Sequence, residues 1–191
     1  MLAHIFKGQK TGTYVDVGCN HPVVYSNTWL LYKQGWQGLA IDPHAQFQAL
    51  FSKKRPRDQF INLAIDAECG EKSFLIAKDS RMSSLENKDQ PLSNQPQIIG
   101  KNTVKTAPLT TLLQKYSIPQ RFEFLNIDVE GHELSVLKSL DLNLFRPRLI
   151  LVEIHNLQFE CIQENPIVCY LKQWNYQLSS YAIMNGYFVE G

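Results

Sequence analysis

Short apolar runs alternate with longer amphipathic stretches along most of the chain. Residues 14–17, 36–41, 60–65, 122–128 and 148–154 are rich in β-branched, aromatic and aliphatic side chains, which favours strands buried in a sheet. Most of them are followed by segments with helix signals. This order predicts an α/β fold with a mostly parallel central sheet and helices on both of its faces.

The predicted helices lie between these strands. Ser26 is the predicted N-cap of a helix over residues 27–34, and Gly35 is expected to end that helix. Further helices are predicted over residues 44–54, 110–116, 132–140 and 165–174.

Three segments depart from this alternation. Residues 72–77 predict an additional strand, whereas residues 79–103 are polar without a sustained period, which is typical of a lid or binding loop. Residues 176–181 and 183–189 predict a closing antiparallel hairpin. The Asn-Gly pair at 185–186 is a typical type I′ turn sequence, so we expect the turn there.

Composition limits the classes of protein that the chain can represent. A length of 191 residues with 44% hydrophobic residues suits one domain over residues 1–191 with a well-buried core. The 19 basic and 18 acidic side chains leave a formal net charge of +1, which predicts no binding to nucleic acid. No run is long and apolar enough for a membrane span, and no secretory signal is evident, so the expected location is cytoplasmic. The four cysteines have no metal-binding spacing and are expected to be reduced.

The first two predicted strands end in polar residues that suit a nucleoside ligand. Asp16 needs a partner because it lies within a buried strand, and Gly18 lets the backbone approach a ligand closely. Asp42 follows Asp16 by 26 positions, close to the spacing at which an acid contacts a ribose hydroxyl. The G-x-G-x-x-G pattern of a pyrophosphate site is absent, and Pro22 stands in the place expected for a third glycine. S-adenosylmethionine, which has a ribose and an adenine but no phosphate, fits these features.

Several ordered motifs resemble the FkbM family of S-adenosylmethionine-dependent methyltransferases, over roughly residues 13–156. They are residues 16–22 (Asp-Val-Gly-Cys-Asn-His-Pro), 26–28 (Ser-Asn-Thr), 35–38 (Gly-Trp-Gln-Gly), 41–43 (Ile-Asp-Pro), 126–133 (Asn-Ile-Asp-Val-Glu-Gly-His-Glu) and 151–155 (Leu-Val-Glu-Ile-His). The resemblance implies a Rossmann-like class I methyltransferase fold. It also implies O-methylation of a hydroxyl on a sugar, a glycan or a natural product.

The expected cofactor site collects residues at the carboxyl ends of the strands, where ligands of open parallel sheets bind. The resemblance adds the residues after the third strand as a wall for the adenine. The predicted cofactor-binding residues are Asp16, Gly18, Asn20, His21, Ser26, Asn27, Asp42, Pro43, Asn62, Ala64, Ile65 and Asp128.

The expected reacting residues follow the fourth and fifth strands of the sheet. Methyl transfer to a hydroxyl requires alignment of the oxygen with the methyl carbon, and a base or a metal ion assists as the new bond forms. His155 and His132 are candidate bases, whereas Asp128 and Glu153 are alternative ligands for Mg²⁺. The full predicted catalytic set is Asp128, Glu130, His132, Glu153 and His155.

Other functions and partners stay open at this point. An NAD-dependent oxidoreductase is disfavoured by the missing glycines, and a non-catalytic cofactor-binding module would keep the same pocket. The expected partner is a small-molecule or glycan acceptor, and a homodimer is left open. The basic run at residues 53–57 predicts a solvated helix end, with anion binding as the alternative, and His44 is given no role.

Overall fold

The computed structural model describes residues 2–86 and 96–191, and eleven strands in this part of the chain form two sheets. In chain order the strands are β1 (Thr13–Val17), β2 (Gln37–Ile41), β3 (Gln59–Ile61), β4 (Ala64–Ile65), β5 (Gly70–Ala77), β6 (Ser84–Leu85), β7 (Ile98–Ala107), β8 (Phe124–Ile127), β9 (Leu149–Glu153), β10 (Tyr176–Ala182) and β11 (Asn185–Glu190). The α-helices are α1 (Leu2–Ile5), α2 (Trp29–Lys33), α3 (Phe47–Lys54), α4 (Leu109–Lys115), α5 (Glu133–Lys138) and α6 (Pro166–Gln173). Among the described helices, none has the length and hydropathy needed to span a membrane.

The central sheet has seven strands in the order β10-β11-β9-β8-β1-β2-β3. The strands from β3 to β9 pair in parallel, and β11 and β10 then add antiparallel strands at one edge. The predicted mostly parallel sheet with a C-terminal antiparallel hairpin is therefore confirmed. The strand order reverses between β1 and β8, and a reversal of this kind opens a ligand-binding crevice at the carboxyl ends of the two strands.

Helices cover both faces of this sheet, as predicted. Because side chains alternate along a strand, Tyr14 packs with Leu31 of α2, whereas Val15 packs on the other face with Leu112 of α4 and Val136 of α5. The side chains of β1 and β8 are almost completely buried. The sequence pattern of short, nearly continuous apolar runs reflects this burial from two sides.

A second sheet, with the order β4-β7-β5-β6, packs beside the central one and was not predicted. The expected single strand over residues 60–65 is wrong, because the chain leaves the central sheet after Ile61 and residues 64–65 pair with β7. Residues 98–103, expected to be irregular, form the first half of β7 and pair with β5. Their side chains are mostly exposed, so no apolar period marks the strand in the sequence. Residues 87–95 of the predicted loop lie outside the described residues.

The C-terminal hairpin turns two residues earlier than predicted. Ala182 pairs with Asn185, so the two-residue loop consists of Ile183 and Met184, with φ of 49° and 63°. Asn185 and Gly186 instead belong to β11, which pairs with β9. The tertiary pairing of β11 therefore overrides the local preference of Asn-Gly for the turn.

Arg55 is fully buried between the sheet and α3, although the basic run predicted a solvated helix end. Its Nε donates to Oδ2 of Asp58 over 2.5 Å, and its Nη2 donates to the Tyr14 hydroxyl over 2.8 Å. The prediction is wrong for this residue because α3 ends at Lys54, and the arginine that follows turns inward with φ of −135°. Lys53 and Lys54 are exposed, as expected.

The buried carboxylate of Asp16 has the partners that its place in a central strand requires. Its Oδ2 accepts from the Thr28 hydroxyl over 2.5 Å, and its Oδ1 accepts from Nδ2 of Asn126 over 2.8 Å. The Thr28 oxygen in turn accepts from Nη2 of Arg55 over 2.9 Å. Burial raises the pKa of Asp16, and the nearby Arg55 charge acts in the opposite direction.

This polar network also explains the start of α2. Thr28, not Ser26, occupies the N-cap position, and its hydroxyl makes no capping bond to the helix. Ser26 accepts instead from Nη1 of Arg55 over 3.1 Å. The predicted cap at Ser26 is therefore wrong, because the Thr28 hydroxyl bonds Asp16 of β1 and the Ser26 hydroxyl bonds Arg55 after α3.

Replacing Arg55 should destabilise the fold strongly. Arg55→Met leaves the carboxylates of Asp16 and Asp58 buried without a cation, so we expect a loss of about 3–5 kcal/mol in the free energy of unfolding. Lys54→Met is the matched control, because Lys54 is exposed in the same basic run, and it should cost about 0.5 kcal/mol or less. Urea denaturation of both variants measures the difference, and equal midpoints would show that the network contributes little.

Candidate active site

A cleft of about 430 Å³ lies at the carboxyl ends of β1, β2, β8 and β9. The residues that follow each of these strands form its floor, as the strand order predicts. Residues 79–85 contribute a further wall, so this part of the predicted binding loop does border the cleft.

Gly18 brings the end of β1 very close to the end of β8. Its φ is +79°, and a Cβ at this position would lie 1.7 Å from the backbone oxygen of Asp128. Its amide donates to the carbonyl of Ile41 over 2.9 Å, which ties the turn to β2 as well. A side chain is therefore excluded here, and the floor of the cleft is backbone.

Asp42 organises the loop after β1. Its Oδ2 accepts from the Asn20 amide over 2.8 Å, and its Oδ1 accepts from the His44 amide over 2.8 Å. Nδ1 of His44 lies 2.9 Å from the same Oδ1. A carboxylate offers about four lone-pair positions, so Oδ2 keeps capacity for one hydroxyl donor from a ligand.

His44 is a cleft residue that the sequence analysis missed. It is buried and lines the cleft beside Asp42 and Phe74. One feature of the sequence does point to His44, because it lies two residues after Asp42 and an aspartate side chain commonly bonds the backbone of the second residue that follows it.

Most of the predicted cofactor residues line this one cleft, and two do not. His21 uses Nδ1 to accept from the amides of Val23 and Val24, so it shapes the loop and lies outside the lining. Asn62 donates to the carbonyl of Asp42 and also lies outside the lining. The cleft brings together Asp16, Gly18, Asn20, Ser26, Asn27, Asp42, Pro43, Ala64, Ile65 and Asp128.

An acidic cluster with one histidine occupies the other end of the cleft. Nε2 of His155 lies 3.0 Å from Oε2 of Glu153 and 3.6 Å from Oε2 of Glu130. Burial, reinforced by the neighbouring carboxylates, raises the pKa of Glu153 to about 9 and that of Glu130 to about 7. Burial likewise raises the pKa of Asp128 to about 6. These groups therefore hold protons at a pH where exposed carboxylates have lost them.

The loop between β8 and α5 holds Glu130 in place. The carboxylate of Glu133 accepts from the Gly131 amide over 2.9 Å, and Glu130 has a φ of 54°. His132 also lines the cleft, and its Nε2 lies 3.2 Å from Oδ1 of Asp66. His132 thus has a carboxylate partner separate from that of His155.

The predicted metal ligands are only partly brought together. Glu130, Glu153 and His155 each offer one ligand atom, and these three atoms lie within 4.8 Å of one another. Asp128 is not part of that group. The assignment of Mg²⁺ to Asp128 and Glu153 stays a prediction.

The strand order and a cleft at its switch point define an open α/β protein whose ligand crevice lies at the carboxyl ends of the strands. A family model described as "Methyltransferase FkbM domain" matches residues 16–178, so the chain belongs to the FkbM methyltransferase family. The resemblance inferred from the motifs is confirmed.

A solved structure shares this fold. It is Methyltransferase FkbM from Methylobacillus flagellatus KT, which is 13% identical and superimposes with a TM-score of 0.57 over 94% of this chain. The chain spans 44% of the length of that protein. A search of curated proteins gave no match.

The close approach at Gly18 gives a direct test of the cleft floor. Gly18→Ala adds a Cβ that meets the Asp128 backbone, so we expect a loss of about 3 kcal/mol or more in the free energy of unfolding, from strain and displacement together. Gly8→Ala is the matched control, since Gly8 has a similar φ of +85° with nothing within 4 Å. It should cost about 1–2 kcal/mol from backbone strain alone. Thermal unfolding compares them, and equal losses would contradict the contact at Gly18.

Proposed function

We propose that the chain is an S-adenosylmethionine-dependent methyltransferase that methylates a hydroxyl group. The choice of cofactor rests on one observation, the charge of the cleft. Six carboxylates line it, whereas Arg81 is the only lysine or arginine among the described lining residues, and it pairs with Asp79. Burial keeps Glu153 and part of Glu130 protonated near neutral pH, but the other carboxylates and the absence of an unpaired lysine or arginine among the described lining residues still favour a cationic sulfonium over an anionic pyrophosphate. The lining acids are Asp16, Asp42, Asp79, Asp128, Glu130 and Glu153.

Each part of the cofactor has a suitable wall. Asp42 would accept a ribose hydroxyl through the free capacity of Oδ2, and Ala64 and Ile65 would border the adenine. The methionine part would lie over Gly18 and Asn20, where the floor is backbone and amide. Arg55 holds the loop before α2 from below, so this wall is formed before any ligand binds.

The acidic cluster would serve the acceptor. The cofactor supplies an electrophilic methyl group, and the chain must place the acceptor oxygen in line with it and exclude water. As the oxygen–carbon bond forms and the carbon–sulfur bond breaks, the hydroxyl proton would pass to the group formed by Glu130, Glu153 and His155. The proposed acceptor is a hydroxyl of a sugar, a glycan or a natural product.

The dinucleotide alternative has weaker support. A pyrophosphate typically lies at the N-terminus of the helix that directly follows the first loop. Here α2 begins at Trp29, eleven residues after Gly18. A non-catalytic module with the same pocket is separated from the enzyme by the second experiment below.

Ligand-induced stabilisation tests the cofactor. At about 100 times its dissociation constant, S-adenosylhomocysteine should add about 2.7 kcal/mol, which raises the unfolding midpoint by about 5–10 °C in a domain of this size. NADH at the same concentration should give no shift. A shift with NADH alone would overturn the assignment.

Substitutions in the acidic cluster test catalysis. With a panel of hydroxylated acceptors, and with S-adenosylhomocysteine release as the readout, His155→Ala and Glu153→Gln should each lower the rate by about 100-fold or more. Both should keep the stabilisation by S-adenosylhomocysteine, because neither residue is assigned to the cofactor. Glu160→Gln, an exposed acid outside the cleft, is the control. Undiminished turnover in both variants would show that the reacting residues lie elsewhere.

A further inference from the structure

Three side chains at the acceptor end of the cleft converge as ligands of one ion do. Nε2 of His155 lies 3.0 Å from Oε2 of Glu153 and 3.6 Å from Oε2 of Glu130. Ligand atoms about 2.1 Å from an ion, at angles of about 90–109°, are separated by about 3.0–3.4 Å. The distances from His155 to the two carboxylates therefore approach those between ligands of a shared ion. The ligand atoms of all three residues lie within 4.8 Å of one another.

Two buried acceptor atoms at the same wall, neither of which receives a hydrogen bond, also support this interpretation. Oε2 of Glu153 is buried and has no aligned hydrogen-bond donor within the described residues, and only 9% of its side chain is exposed. Oδ1 of Asn185 is also buried without a donor. Asn185 pairs directly with Glu153 across β11 and β9, and both residues line the cleft. Two buried acceptors without donors are costly unless a cation or a donor from a ligand satisfies them.

No lysine or arginine of the lining is available to satisfy this group. Arg81, the one such residue among the described lining side chains, pairs with Asp79 over 2.5 Å and stacks on the Tyr25 ring. In the ion pairs of the described residues, Glu130 and Glu153 therefore pair with His155 and with no lysine or arginine.

We propose that Glu130, Glu153 and His155 bind a divalent transition-metal ion, with Mn²⁺ and Zn²⁺ as the best-suited ions. Imidazole is a ligand typical of transition ions, whereas Mg²⁺ prefers oxygen ligands and retains several waters. This ligand set differs from the pair of Asp128 and Glu153 expected from the sequence. It replaces Asp128 with the neighbouring Glu130 and adds the histidine.

An ion here would have a role in methyl transfer only if the proposed function holds. It would bind the acceptor hydroxyl and lower the pKa of that hydroxyl, so that solvent water rather than the three ligand side chains takes the proton and the oxygen becomes a better nucleophile. Ion binding itself does not depend on that function. The two proposals can therefore fail separately.

Calorimetric titration of the metal-free protein with MnCl₂, ZnCl₂ and MgCl₂ tests the site, and the electron paramagnetic resonance signal of free Mn²⁺ gives a second readout. We expect one Mn²⁺ or Zn²⁺ per chain, with Mg²⁺ at least about 10-fold weaker. Glu130→Gln and His155→Gln should each weaken binding by about 10–100-fold or more. Asp79→Asn, which removes a carboxylate from the rim of the same cleft, should leave affinity within about 2-fold.

The outcomes separate clearly. Saturable binding that is lost in both ligand variants and kept in Asp79→Asn supports the site. The proposal is overturned if no saturable binding appears at metal-ion concentrations up to about 1 mM. A dissociation constant of that size corresponds to a binding free energy of only about −4 kcal/mol. Binding that is equally strong in Glu130→Gln and His155→Gln also overturns it, because the ion would then lie elsewhere. Circular dichroism of each variant confirms that a loss of binding does not arise from unfolding.

Discussion

The fully buried guanidinium of Arg55 is the contact on which the cleft depends. It connects α3 to Tyr14 and Asp58 and reaches the loop before α2 through Pro22 and Ser26. A buried charge of this kind is stable only when every donor has a partner, which fixes the relative positions of the groups that it joins. The loop after β1 is therefore held by polar contacts from below, and its upper surface is left free for a ligand.

Asp16 illustrates how this support reaches the site. It lines the cleft, yet both of its oxygens accept from the chain itself, through Thr28 and Asn126. Its main contribution is thus to position the ends of β1 and β8 and the loop between β1 and α2. Asp42 differs because one of its oxygens keeps a free lone pair. Two aspartates that appear equivalent in the sequence therefore differ, since Asp16 is satisfied by the chain itself and Asp42 keeps a lone pair that faces the cleft.

The end of the cleft that holds Glu130, Glu153 and His155 differs in this respect. Whereas Asp16 and Arg55 are satisfied by internal partners, Glu153 and Asn185 keep buried oxygens without donors. The edge of the sheet makes this arrangement, because β11 pairs with β9 in a register that sets Asn185 opposite Glu153. This register leaves Ile183 and Met184 with φ of 49° and 63°, and left-handed positions of this kind occur often at functional sites.

The sequence by itself determined the α/β class, the parallel core and the membership of the family, because short apolar runs and ordered motifs are local signals. It also determined which acids meet in the cleft, since residues that follow parallel strands must lie at one edge of the sheet. The tertiary structure alone decided the burial of Arg55, the second sheet and the turn at Ile183 and Met184. Each of these depends on partners far away in the chain, such as the pairing of Asn185 with Glu153. Local propensity contains no information about such partners, so only the folded chain could specify them.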